Sequence, residues 1–148
     1  MPQTTPPIIS LRIKRFIKTL GNVGPPGYLP FTFRSDDYQP RHCQSNCEAE
    51  SVRSSLEIVF GWVIWESRVD HFLEAEFHAV IRQNGALVDI TPRVDAESKV
   101  LYVRDFARTA VRIDDRTWDT WSNQKLHFHQ LESTYRSRLQ NTQPDLLV

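Results

Sequence analysis

The stretch "EAEFHAVIRQNGALVDITPR", Glu74 to Arg93, decides how the rest of the chain is read. Ala75, Phe77, Ala79 and Ile81 alternate with Glu74, Glu76, His78 and Arg82, the period of a strand with one buried face. Asn84-Gly85 is a strong short-range hairpin signal, because both central residues of a type I′ turn need positive φ. "ALVDITP" then reads as the returning strand. With the turn at 84–85, His78 faces position 91 and Asp89 faces position 80, so the two are near-diagonal neighbours across the hairpin. A titratable group buried in a strand without a partner costs several kcal/mol. The imidazole and the carboxylate therefore either satisfy each other or are held together for a task. A helix through 74–83 is the competing reading, since "LEAEFHAVIRQ" also has fair helix propensity.

Outward from this hairpin, "LEIVFGWVIWES" (56–67) and "KVLYVRD" (99–105) are rich in β-branched and aromatic residues and read as further strands. "SLRIKRFIKTL" (10–20) spaces its apolar residues as a short amphipathic helix stopped by Gly21. "GNVGPPGYLP" (21–30) holds three Gly and three Pro, which neither helix nor strand tolerates. "SNCEAESVRSSLEIV" begins as a helix, with Ser45 or Asn46 as N-cap and Glu48 placed for a capping box. "DRTWDTWSNQKLHFHQLESTYRSRLQ" (115–140) reads as a C-terminal helix, followed by a frayed tail from Asn141. Residues 1–10, rich in Pro and Thr, are expected to be loose. Helix, three or four antiparallel strands and a final helix make an α+β fold with a segregated sheet. The expected organisation is an N-terminal segment over 1–30, one catalytic-like domain over 31–140 and a tail over 141–148.

The 148 residues are 40% hydrophobic and 24% charged, ordinary values for one globular domain. Lys plus Arg (18) equal Asp plus Glu (18), so no net field draws the chain to nucleic acid or an anionic membrane. No apolar run is long enough to span a bilayer, and "MPQTTPPIIS" lacks the order of a secretion signal. Two cysteines, Cys43 and Cys47, cannot make a disulfide framework. These features predict a cytoplasmic protein with reduced thiols.

The two cysteines fall at the start of the helix that precedes the sheet. A helix N-terminus supplies partial positive charge and free N–H groups, which favour a thiolate and can hold an oxyanion. A histidine beside such a thiol makes a nucleophile, and a carboxylate beside the histidine fixes its tautomer. Cys43, His78 and Asp89 follow in that order. Each also has an ordinary reading: a cysteine as a small core hydrophobe, a satisfied sheet histidine, a turn-capping aspartate.

The ordered set "CxxN" (43–46), "GWVIWE" and "FHAVIRQNGALVDITP" resembles the transglutaminase-like branch of papain-like cysteine enzymes, and small bacterial and phage proteins with that layout. The resemblance covers Tyr38 to Arg93. It implies a papain-like or transglutaminase-like core, with Cys43 as nucleophile, His78 as base and Asp89 as orienting acid. It also implies that Gln39, four residues upstream, donates to the oxyanion as an upstream Gln does in papain-like enzymes. Transglutaminases carry a bulky aromatic beside the nucleophile where this chain has His42 and Gln44, so cross-linking is not implied.

The expectation is a cysteine-dependent enzyme acting on an amide or thioester carbonyl of a protein or peptide, as protease, deamidase or acyl transferase, without cofactor or metal. Trp62 or Trp65 is a candidate to line the substrate groove. Two other readings stay open. One is a catalytically idle protein-binding module on the same fold, such as a phage-type inhibitor of a host protein. The other is a small structural zinc protein built from His42, Cys43, Cys47, His127 and His129, whose spacing matches no common finger.

Overall fold

The computed structural model describes residues 4–94 and 97–140. Its elements in chain order are α1 (Leu11–Lys18), β1 (Gly27–Pro30), α2 (Cys43–Ser54), β2 (Glu57–Ser67), β3 (Phe72–Gln83), β4 (Ala86–Val88), β5 (Lys99–Arg104), β6 (Val111–Arg112), β7 (Thr117–Trp121), β8 (Gln124–His127), β9 (Gln130–Glu132) and β10 (Arg136–Gln140). Among the described residues strand accounts for 44% and helix for 15%, so the fold is β-rich and antiparallel rather than an α+β papain-like core. The expected C-terminal helix is absent; residues 117–140 form four strands. Trp118 and Trp121 suggest one helix face by their spacing. In the structure they alternate across β7, Trp118 buried and Trp121 half-buried, among the β-branched Thr117 and Thr120.

The larger sheet runs β1-β5-β2-β3-β8-β9, with β4 also on β3. Part of it curls until β1 meets β4. Phe31 and Asp89, just past β1 and β4, form a parallel bridge, and the Thr32 N–H donates to the Asp89 carbonyl (2.8 Å). The strands β1-β5-β2-β3-β4 therefore close on themselves as a small barrel, which removes two free edges. Val59, Val63, Trp65, Val80, Val100 and Tyr102 fill the inside, with Leu29 and Leu87 against them. The opposite residues of the same strands, Trp62, Ile64, Ala75, Phe77, Leu101 and Val103, face outward under α1, whose Ile13, Phe16 and Ile17 share that core with Leu20. Alternation along β2 and β3 thus serves two apolar layers instead of one core and solvent.

α1 is capped by Ser10, whose Oγ accepts from the Ile13 N–H (3.2 Å). The N-terminal segment is tied down from Thr4, which exchanges two backbone hydrogen bonds with Glu66 (2.9 Å each). The expectation of a loose segment over 1–10 is corrected for Thr4 onward. The 141–148 tail lies outside the described residues.

The hairpin over β3 and β4 has the predicted register, Gln83 opposite Ala86 and Ile81 opposite Val88. Asn84 (φ 52°) and Gly85 (φ 79°) hold the turn. β8 pairs with β3 only over Phe72–Ala75, and β4 only from Ile81, so Glu76–Val80 has β2 on one side and, among the described residues, no strand on the other. Into that gap comes the first turn of α2. Its buried stripe, Cys43, Gln44, Asn46, Cys47 and Glu50, follows helical spacing, and Cys43 and Cys47 pack on Ala79 and Ile81. The smaller sheet, β10-β7-β6, stands across the gap.

Candidate functional site

His78 occupies the centre of the gap on β3. Its partner on β2 is Gly61, where a Cβ would lie 2.2 Å from the Val103 carbonyl oxygen and 2.7 Å from the Tyr102 ring. Glycine there lets Tyr102 cross to β3, where its hydroxyl donates to the His78 carbonyl (3.0 Å) and the Val59 carbonyl (3.3 Å). The two rings stand edge to face at 6.4 Å. Burial first, then the nearby Cys43, Cys47 and Asp89, push the Tyr102 hydroxyl well above its usual value of 10.0, so it is a neutral donor.

Asp89 Oδ1 lies 2.9 Å from His78 Nε2 and also accepts from the Thr91 N–H (3.3 Å). Its Oδ2 faces the Arg93 guanidinium at 3.7 Å, and Arg93 in turn lies over the Trp65 ring. Asp89 is fully buried and His78 is 6% exposed, so water does little to screen the pair. Burial alone would lower the imidazole pKa. The Asp89 carboxylate and the Cys43 sulfur, through charge and hydrogen bonds, outweigh burial and hold it well above its usual 6.5. With Nε2 engaged by Asp89, Nδ1 is the ring nitrogen left for Cys43.

Cys43 opens α2. The first intrahelical bond runs from the Asn46 N–H to the His42 carbonyl (2.8 Å), so the N–H groups of Cys43 and Gln44 have no acceptor within the helix. The Ala79 N–H donates to Cys43 Sγ (3.4 Å), the sulfur standing where a neighbouring strand would place a carbonyl. On its other side the thiol donates to Gln44 Oε1 (3.2 Å). Cys47, one turn on, is fully buried; burial, then the charges of Cys43, Asp89 and Glu50, push its thiol well above 9.0. Both cysteines are free.

The helix start differs from the expected capping box. His42 is the N-cap, without a side-chain cap bond, and Ser45 and Asn46 lie inside the helix. Both are engaged elsewhere. Asn46 clamps the Gln39 backbone, accepting from its N–H (3.1 Å) and donating to its carbonyl (2.8 Å), and donates to Thr91 Oγ1 (3.2 Å). Ser45 Oγ accepts from Trp118 Nε1 (3.2 Å). Asn46 thereby joins the loop before Cys43 to the "DITP" segment carrying Asp89.

A cleft of about 510 Å³ opens over these groups, lined among others by Cys43, Gln44, His78, Trp65, Thr120 and Trp121. Gln39 is outside that lining and serves through its backbone; Gln44 is the glutamine that touches the thiol. Trp62 is fully buried, its indole donating to Asp105 Oδ2 (2.9 Å), so the groove tryptophans are Trp65 and Trp121. Among the described residues no three His, Cys, Asp or Glu side chains converge as a metal site. His127 lies on β8, within the stretch expected to be helical. Gln44 and Tyr102 were missed in the sequence, where neither adjacency to a cysteine nor a Gly61 on the neighbouring strand but far along the chain is a local signal. Comparison of the chain with protein-family models, curated proteins and solved structures finds no match in any of the three.

Proposed function

We propose that the protein is a cysteine-dependent enzyme acting on an amide or thioester carbonyl of a protein or peptide. Cys43 attacks the carbonyl carbon, His78 takes the thiol proton and returns it to the leaving group, and Asp89 holds the imidazole. The N–H groups at the start of α2 receive the developing oxyanion. Water or a second nucleophile then releases the acyl group. The observation that carries the reading is the buried His78–Asp89 pair, Nε2 to Oδ1 at 2.9 Å, beside Cys43 at the foot of one cleft. The raised His78 pKa supports it, since a proton held on the ring is the counterpart of a thiolate. Two free thiols suit a reducing compartment such as the cytoplasm.

One observation favours a catalytically idle binding module instead. Cys43 is only 6% exposed and its thiol is occupied by Gln44. Alkylation separates the two readings. With iodoacetamide near neutral pH, followed by peptide mass mapping, the enzyme reading expects Cys43 to react at least about tenfold faster than Cys47, and His78→Ala to abolish the difference. Equal, slow labelling of both cysteines would overturn it in favour of the binding module.

A further inference from the structure

Thr120, on β7, lines the cleft opposite the gap in β3 and is 6% exposed. Its Oγ1 is buried and has no hydrogen-bond partner among the described residues. Ser137 of β10 lies directly across the ladder and also lines the cleft. A Thr–Ser cross-strand hydrogen bond is the ordinary use of such a pair, yet Oγ1 does not make it. A buried hydroxyl without a partner lowers stability, and a protein that keeps one in its cleft wall needs it for something outside the fold.

The neighbours restrict what that is. Of the charged side chains around the cleft, Arg93 is tied to Asp89 and Glu76 accepts from the Trp65 indole (3.3 Å). Arg41 and Arg138 also line the cleft, Arg138 from the exposed face of the small sheet. Gln44, Thr120 and Ser137 give the same cleft neutral polar groups. A hydroxyl both donates and accepts. Two hydroxyls side by side match a group that offers a carbonyl and an N–H together, which an amide does and a thioester does not.

We propose that Thr120, with Ser137, is a specificity-determining residue whose hydroxyl hydrogen-bonds an amide of the acyl donor, so that the cleft selects peptide or carboxamide substrates over thioesters. This rests on the cysteine-enzyme reading of the same site. Removing a hydroxyl that binds the substrate N–H or C=O discriminates against the amide alone.

Two electrophiles of matched size, 2-iodo-N-methylacetamide and methyl iodoacetate, test it. Their rates at Cys43 are each divided by the rate with free glutathione. The wild type should prefer the amide probe. Thr120→Val should lower that preference about tenfold, Thr120→Ser should keep it within about twofold, and Ser137→Ala should lower it in part. Thr120→Val should also raise the melting temperature, because it removes an unpartnered buried hydroxyl. A preference unchanged in Thr120→Val, equal slowing with both probes, or a lower melting temperature for that variant each overturns the assignment. Wild-type Cys43 reacting no faster than Cys47 with either probe is a different result, and it overturns the cysteine-enzyme reading and this inference together.

Discussion

Gly61 sits opposite His78 because a methyl group there would meet the Val103 carbonyl and the Tyr102 ring. Gly61→Ala should destabilise the protein by about 3 kcal/mol, the upper end for overpacking, since one of the clashing atoms is backbone. It should also slow Cys43 alkylation, because Tyr102 can no longer hold the His78 carbonyl. A denaturant midpoint within error of wild type would refute the packing account. His78 itself predicts a pH dependence. Its folded pKa is raised above the unfolded value of about 6.5, so its contribution is fully present below that pH and is lost as pH rises toward the folded value. Wild-type stability should fall on the order of 1 kcal/mol per pH unit above about pH 6.5. His78→Gln should lack that slope in urea titrations, and parallel slopes in the two proteins would show that other groups dominate. Cys47→Ser should cost about 1–3 kcal/mol through a buried hydroxyl and leave Cys43 alkylation unchanged.

At the scale of elements, the hairpin was legible because its signals are local. Alternation from Leu73 to Ile81, the Asn84-Gly85 turn and the short return strand fix the register without reference to the rest of the chain. That register brings Asp89 within 2.9 Å of His78. α1, β2 and β5 were legible for the same reason. The region from Thr117 to Gln140 was not. Its strands are three to five residues long, too short to display a period, and the spacing of Trp118 and Trp121 imitates a helix face. Pairing decides them: β7 is held by β6 and β10, and β8 by β3. Helix α2 was found but its start was displaced, because Ser45 and Asn46 look like caps and are used for long-range contacts instead. Closure of the barrel was invisible, resting on Phe31 and Asp89, 58 positions apart by their numbers. The turn can be tested as an element. Gly85→Val places a β-branched residue at φ 79° and should cost about 1–2 kcal/mol. If the turn positions Asp89, Cys43 alkylation should slow as well; lost stability with unchanged alkylation would mean that the Thr32–Asp89 seam alone holds the carboxylate.

Over the whole molecule, α2 is held from two sides. One side packs on Ala79 and Ile81 of the barrel through Cys43 and Cys47. The other is gripped by the small sheet, where Arg112 makes a two-pronged contact with Glu48 (2.7–3.0 Å) and stacks on Trp118, whose indole reaches Ser45. The ion pair is about a third exposed on each side, so it is worth about 1 kcal/mol or less to global stability. Its position matters more than its strength. It joins the helix bearing the thiol to the sheet bearing Thr120 and Ser137, so it fixes the width of the cleft. Glu48→Gln should therefore barely move the denaturation midpoint, yet accelerate amide hydrogen exchange across β6, β7 and β10 several-fold while β2 and the outer half of β3 keep their protection. Arg112→Lys should give an intermediate result, because an ammonium keeps the charge and loses the paired geometry. Uniform exchange changes in both sheets would instead mean that the two layers open together, and that the cleft wall has no independent motion for this contact to restrain.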